Sequence, residues 1–102
     1  MLIVFISTPN IEEAETLARK IIEAKLAACV QILPPMKSFY FRENAVQEDS
    51  EHLLLIKTLP EKYDELETFI KSNHRCEVPE IVALKAESVS KSYLKWLGNY
   101  LN

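Results

Sequence analysis

The sequence predicts an α+β fold, a ferredoxin-like βαββαβ sandwich with an antiparallel sheet and an additional C-terminal helix. Three observations predict it: four short apolar runs typical of strands, two amphipathic segments with helical periodicity between them, and a third such segment at the end. In this order two right-handed strand–helix–strand crossovers flank a hairpin. The 102 residues suit a single domain over residues 1–102.

The first strand and first helix have the clearest local patterns. Residues 2–6 form an apolar run rich in β-branched side chains, as in a strand that is buried on both faces. Asn10 is a good helix N-cap, and Glu13 lies at the spacing of a capping box. Apolar residues then recur at helical intervals up to Ile22, which predicts an amphipathic helix.

A second strand and a hairpin follow. Residues 26–33 are mostly apolar, and the prolines at 34–35 interrupt the strand because neither can donate a ladder hydrogen bond. Residues 37–42 resume extended structure. Asn44 suits a turn residue with positive φ, so the sequence predicts a hairpin around residues 43–45.

The second half of the chain repeats the pattern of strand, helix and strand. Residues 52–58 are predicted as the third strand, and Pro60 suits the first turn of the second helix. Residues 81–86 are predicted as the fourth strand, and Ser88 or Ser90 as the N-cap of the last helix. In a split-βαβ sheet the first and third strands should be central, and their unbroken apolar runs agree with this.

Composition excludes several function classes. The net charge of −3 gives no overall basic footprint for nucleic acid or an anionic membrane and leaves only local patches open. The only glycine, Gly98, cannot form a phosphate-binding loop or a dinucleotide fingerprint. No apolar run reaches the roughly 18–20 residues of a membrane span. Cys29 and Cys76, without a secretion signal, indicate free thiols in a reducing compartment, so we expect a cytoplasmic protein.

The predicted strands have too many apolar faces for one chain to cover. The strand runs are apolar on both faces, whereas two helices cover only one face of the sheet. The other face needs a cover, because monomers rarely expose apolar patches above a few hundred Å². The alternative is that the last helix covers that face alone. We expect self-association.

Several segments resemble the CutA family of divalent-cation tolerance proteins, in the same order and over nearly the whole chain. They are Ser7-Thr8-Pro9, residues 25–30, Ser38 and Tyr40, residues 53–58, residues 77–81 and residues 93–97. The resemblance implies a ferredoxin-like subunit in a tight homotrimer whose strands pair across subunits. It also implies a link to copper and other divalent metals.

The chain departs from the family pattern at several positions. Arg42 and Asn44 occupy hairpin positions where the family usually has tryptophan and glycine. Two copper ligands proposed for some bacterial members correspond to Ser7 and Asn73 here, and only the glutamate of the Pro-Glu pair, Glu80, matches. The resemblance therefore does not imply an intact family metal site.

The candidate metal ligands lie in one segment, residues 74–80. His74, Cys76 and Glu80 offer an imidazole, a thiolate and a carboxylate, a set that suits Cu(II) or another divalent metal, bound weakly and not needed for folding. The alternative is structural: His74 closes the second helix, Cys76 fills a small pocket, and Glu77 is solvated or paired.

The leading hypothesis is a cytoplasmic homotrimer that binds divalent metal, copper first, whose partners are its own copies and the metal ion. Tyr40 and Trp96 are candidates to line a cleft between subunits, although aromatic residues at helical spacing usually pack in a core. No catalytic motif stands out, so we expect no enzyme. The alternative is a PII-like trimer that senses a small ligand or serves as a scaffold and regulates a partner.

Overall fold

A computed structural model describes residues 1–76 and 78–102 of the chain, and it confirms the predicted α+β fold. The elements in order are β1 (Leu2–Thr8), α1 (Ile11–Glu23), β2 (Cys29–Ile32), β3 (Met36–Arg42), β4 (Ala45–Thr58), a 3-10 turn (Pro60–Lys62), α2 (Tyr63–Asn73), β5 (Ile81–Lys85) and α3 (Lys91–Leu101). In the described ranges, no helix is both long enough and apolar enough to span a bilayer.

The sheet is antiparallel, with the order β2-β4-β1-β5, and β3 pairs with the first half of β4. The prediction that the first and third strands are central is therefore confirmed. The third strand begins at Ala45, however, and not near residue 52 as predicted. The strand starts earlier because residues 45–51 pair with β3. Most of these residues are exposed to solvent, so the acidic side chains within residues 48–51 can remain in a strand.

Asn10 caps α1 as predicted, and Glu13 bonds back to the Asn10 side chain instead of to its backbone N–H as a capping box would. The Asn10 Oδ1 atom accepts a hydrogen bond from the Glu13 backbone N–H at 2.8 Å, and Asn10 Nδ2 donates to Glu13 Oε2 at 2.9 Å. This fixes the start of α1 directly after β1. At the other end of α1, Lys25 adopts a φ of 57°, and its N–H donates to the Ile22 carbonyl at 3.0 Å. This left-handed residue turns the chain towards β2.

The β3–β4 hairpin closes through a two-residue turn. Arg42 pairs with Ala45, and between them Glu43 and Asn44 have φ values of 52° and 63°. Positive φ at both central residues is the signature of a type I′ turn, whose twist matches that of the strands. The predicted hairpin is confirmed, but Glu43 is an unfavourable residue for this conformation.

We expect Glu43→Asn to raise the free energy of unfolding by about 1 kcal/mol, because asparagine adopts the left-handed conformation at lower cost than glutamate. Urea denaturation measures the change, with Glu61→Asn as a control at an exposed position in the 3-10 turn. An unchanged midpoint for Glu43→Asn would contradict the assignment of strain to this turn.

The two faces of the sheet have different surroundings. Val4, Ile6 and Leu54 face α1 and α2 and are fully buried in the core. The opposite face carries the alternate residues, which remain half-buried or exposed: Ile3, Phe5, Leu53, Leu55, Val82 and Leu84. We call these six residues the second face.

Helix α3 lies beside one end of the second face. Lys57, which shares that face through its register with Ile3, has its ammonium 5.4 Å from the centre of the Tyr93 ring. The Tyr100 hydroxyl donates to the Ile22 carbonyl, so α3 also joins the end of α1. Val82 and Leu84 keep 47% and 49% of their surface exposed in the single chain. The helix therefore leaves part of the apolar face uncovered.

Candidate functional site

A cavity of about 580 Å³ opens where the end of β1, the β3–β4 hairpin and the segment before β5 meet. We call it the larger cavity. Its lining includes all three predicted metal ligands, His74, Cys76 and Glu80, together with Tyr40. Four side chains that were singled out from the sequence therefore line one space. Glu77, from the same predicted segment, lies outside the described residues.

His74 joins the segment after α2 to the end of β1. Its Nδ1 atom lies 3.0 Å from the Cys76 backbone nitrogen, and its Nε2 atom lies 2.8 Å from the Ser7 carbonyl oxygen. A backbone N–H can only donate and a carbonyl can only accept, so Nδ1 accepts and Nε2 donates. Both ring nitrogens of the neutral imidazole are thus occupied. These contacts differ from the structural alternative drawn from the sequence, a cationic imidazole that closes α2, because they hold a neutral ring against β1 and Cys76. The prediction that His74 is a metal ligand stays a prediction.

Tyr40, Arg42 and Asp49 share one face of the hairpin. The Tyr40 hydroxyl donates to Asp49 Oδ2, and the Arg42 guanidinium lies over the Tyr40 ring, 5.2 Å from its centre. The hydrogen bond to the Asp49 carboxylate raises the pKa of Tyr40 above the ordinary 10.0, because ionisation would place two negative charges side by side.

We expect the raised pKa of Tyr40 to appear in an alkaline titration. The hydrogen bond is intact below pH 10 and is lost as the pH rises through the raised pKa, so its contribution to stability falls in that range. In Asp49→Asn, one tyrosine should ionise at lower pH, which the phenolate absorbance measures. Glu48→Gln, which removes a carboxylate that pairs with Lys37 instead, is the control. Identical curves for Asp49→Asn and wild type would contradict the assignment.

The charges around the larger cavity are mixed but mainly negative. Asp49, Glu51 and Glu80 supply carboxylates, and Arg42 supplies a guanidinium. Within residues 1–76 and 78–102, no three His, Cys, Asp or Glu side chains are grouped closely enough to hold a metal ion. The surplus of carboxylates favours a bound cation over a bound anion.

A smaller cavity of about 190 Å³ lies on the other side of His74, between α1 and the end of α2. Pro9 and His74 line both cavities. In its wall, Arg75 Nε lies 3.0 Å from Glu13 Oε1, so the segment after α2 is tied to the first turn of α1. The sequence analysis missed this pair, because the two residues are distant in the chain and no local spacing indicates their contact.

Trp96 is not among the residues that line the larger cavity. It lies on α3, 51% exposed, and its ring stacks on Tyr93 with centroids 5.6 Å apart. A meeting of Tyr40 and Trp96 across a subunit boundary therefore stays a prediction.

Comparisons with known proteins agree on one family. Residues 2–100 match the family described as CutA1 divalent ion tolerance protein. "Protein CutA 1, chloroplastic" of Oryza sativa subsp. japonica is 44% identical over 98 residues, which cover 96% of this chain and 55% of the rice protein. "Divalent-cation tolerance protein CutA" of Thermus thermophilus is 42% identical over 95 residues, which cover 93% of this chain and 92% of that protein.

A solved structure gives the same result. The periplasmic divalent cation tolerance protein CutA from Archaeoglobus fulgidus superposes with a TM-score of 0.96 at 35% identity, and all of each chain is covered. Several curated relatives are longer proteins, and this chain spans about half the length of the rice and Arabidopsis proteins.

These names correct the prediction of a cytoplasmic protein, which is wrong. The rice relative is named chloroplastic and the Archaeoglobus structure is described as periplasmic. The prediction relied on Cys29 and Cys76, which are indeed free thiols. Free cysteines show only that this fold needs no disulfide, and a fold of this kind is compatible with more than one compartment.

Proposed function

We propose that this chain, which belongs to the CutA1 divalent ion tolerance protein family, forms a homotrimer that binds divalent cations, Cu(II) first, in the larger cavity. One observation carries the proposal: the Cys76 thiol and the carboxylates of Asp49, Glu51 and Glu80 line the same cavity although they come from separate segments. The role is binding and not catalysis.

The available donors suit a borderline metal ion. Thiolate and imidazole favour copper or zinc, whereas carboxylates accept a wider range of divalent ions. Cys76 and Glu80 are both exposed to solvent in the single chain and can approach an ion without leaving a core. His74 can join them only by releasing Nδ1 from the Cys76 N–H, because that bond uses the nitrogen lone pair. Binding at such a site should be weak, and the fold does not need it.

The proposal of a trimer is supported by exposed apolar surface. Besides the second face, the hairpin presents Phe39, Phe41 and Val46 on one of its sides, with 64%, 71% and 74% of their surface exposed. Monomeric proteins rarely expose contiguous apolar patches above a few hundred Å², and a larger patch marks an interface. Burial against neighbouring copies removes both regions from water and supplies a hydrophobic driving force.

Isothermal titration calorimetry with Cu(II), and with redox-inactive Zn(II) in parallel, tests the metal proposal. We expect the binding heat to fall strongly in Glu80→Gln and in Cys76→Ser. Glu61→Gln, which removes an exposed carboxylate from the 3-10 turn, is the matched control and should titrate like wild type. If Glu80→Gln, Cys76→Ser and Glu61→Gln all give the wild-type heat, the metal does not bind in the larger cavity.

A PII-like small-ligand sensor is the second candidate, and the size of the cavity favours it. About 580 Å³ falls within the range of roughly 300–1,000 Å³ that small-molecule sites occupy. A thermal-shift screen of metabolites and nucleotides, with and without Cu(II), separates the two functions. A shift caused by an organic compound in metal-free buffer supports the sensor, and shifts with metals alone count against it.

A further inference from the structure

We propose that residues 74–76 form a strap that closes one side of the smaller cavity and opens as a unit while the rest of the fold stays intact, with Glu13 as its anchor on α1. We call these three residues the strap. The proposal goes beyond the proposed function and does not depend on metal binding. It comes from the contacts of the strap, from the way Glu13 is fixed, and from the exposure of the strap.

The strap crosses the junction between β1 and α1. Its first residue, His74, donates from Nε2 to the Ser7 carbonyl oxygen at 2.8 Å, near the end of β1. Its second residue, Arg75, places Nε 3.0 Å from Glu13 Oε1, in the first turn of α1. In the described part of the chain, no other side-chain hydrogen bond or ion pair joins the strap to the rest of the fold. Two polar contacts therefore hold it in place.

Glu13 is a rigid anchor because the start of α1 holds it. Its Oε2 atom accepts a hydrogen bond from Asn10 Nδ2 at 2.9 Å, and its backbone N–H donates to Asn10 Oδ1 at 2.8 Å. Its side chain is 28% exposed, whereas that of Arg75 is 74% exposed. Both carboxylate oxygens thus have a partner. When the ion pair breaks, we expect the strap to move and α1 to keep its position.

The strap and α1 form facing walls of the smaller cavity. The lining includes His74 and Arg75 from the strap and Leu17 from α1. Leu17 is only 4% exposed although it lines the cavity. Displacement of the strap would widen this space of about 190 Å³ and bring the Leu17 side chain into contact with water. The closed position is therefore favoured by a small amount of apolar burial.

No residue of the strap is buried. His74 is half-buried, and Arg75 and Cys76 are exposed. The strap follows Asn73, the last residue of α2, and lies outside the helices and strands. Segments with few buried apolar contacts open at a lower free energy than the elements of the core. We therefore expect the strap to open within the folded protein, and a single exposed ion pair to change that equilibrium a few-fold.

Amide exchange measured by NMR in metal-free buffer tests the proposal. The probe is the Cys76 N–H, which donates to His74 Nδ1 at 3.0 Å in the closed strap. We expect Glu13→Gln and Arg75→Gln each to speed its exchange about two- to fivefold, after correction for intrinsic rates, although neither side chain bonds to that N–H. The double variant should be no faster than either single variant. The amide introduced at position 13 still accepts from Asn10, so α1 keeps its cap.

Glu12→Gln is the matched control. Glu12 is an exposed carboxylate in the first turn of α1 and lines the same cavity, but it forms no ion pair in the described part of the chain. Cys76 should exchange in this variant at the wild-type rate. In wild type, low urea should leave the Cys76 rate nearly unchanged and raise that of the Leu17 N–H, inside α1, because local opening exposes little surface.

Each other result overturns the proposal. A wild-type rate at Cys76 in both Glu13→Gln and Arg75→Gln would show that the ion pair does not hold the strap. An equal increase in Glu12→Gln would assign the effect to the charge of the first turn of α1. A double variant faster than both single variants would separate the two residues. A Cys76 rate that rises with urea as steeply as that of Leu17 would mean that exchange needs global unfolding. Circular dichroism of each variant establishes that it is folded.

Discussion

Val82→Glu and Leu84→Glu are each expected to leave the protein as single chains, whereas we propose that wild type forms a homotrimer. Both residues lie on β5 in the second face, in register with Phe5 and Ile3, and about half of each side chain is exposed in the single chain. A glutamate there remains solvated in the monomer, whereas burial in an interface costs several kcal/mol for the unpaired charge. The variants should therefore fold but not assemble.

Light scattering coupled to size-exclusion chromatography measures this effect. Each variant should give the mass of one chain, 11.8 kDa, and wild type about three times that mass. Ile11→Glu is the control: Ile11 is 38% exposed on α1, and a carboxylate suits the start of a helix, so this variant should assemble normally. Folded wild type at 11.8 kDa under micromolar concentration would refute the trimer, and with it the argument from the uncovered sheet face.

His74→Ala is expected to lower the free energy of unfolding by about 1–3 kcal/mol in metal-free buffer. The substitution removes the hydrogen bonds of the imidazole to the Ser7 carbonyl and to the Cys76 N–H, and each such bond contributes about 0.5–1.5 kcal/mol. Urea denaturation measures the loss. Faster amide exchange at Cys76 should accompany it, since the N–H loses its acceptor.

His52→Ala is the matched control for His74→Ala. Among the residues that the structure describes, His52 makes one ring hydrogen bond, between Nδ1 and the Leu33 carbonyl oxygen at 2.9 Å, so its loss should have the smaller effect. A different result would reassign His74. Unchanged stability without metal, combined with lost Cu(II) binding, would show that the imidazole is a metal ligand and not the connection between β1 and the segment after α2.

The strand and helix pattern could be predicted because it depends on neighbours in the chain. The N-cap bonds join Asn10 to Glu13 three residues away, and the hairpin turn needs only Asn44 and its neighbour in the left-handed conformation. The face of each strand residue follows from a period of two. Where the prediction was wrong, at the start of β4, the decisive contacts came from β3, which pairs with residues 45–51.

In the candidate site, too, local sequence indicated some features and distant contacts decided others. Its residue types could be identified from the sequence, since His74, Cys76 and Glu80 stand close together in the chain and all three line the larger cavity. Their roles could not. The bond between His74 and Ser7 spans 67 positions, and no spacing in the sequence shows that it occupies the Nε2 atom.

By itself, then, the sequence determined the order of strands and helices, the faces they bury and the surplus of apolar sheet surface, because all of these follow from local backbone preferences and side-chain periodicity. Only the tertiary structure decided which charges meet. It tied Arg75 to Glu13, brought both Asp49 and Arg42 against Tyr40, and occupied both ring nitrogens of His74. The physical reason is that hydrogen bonds and charge interactions act within a few ångströms, and only the folded chain brings distant segments that close.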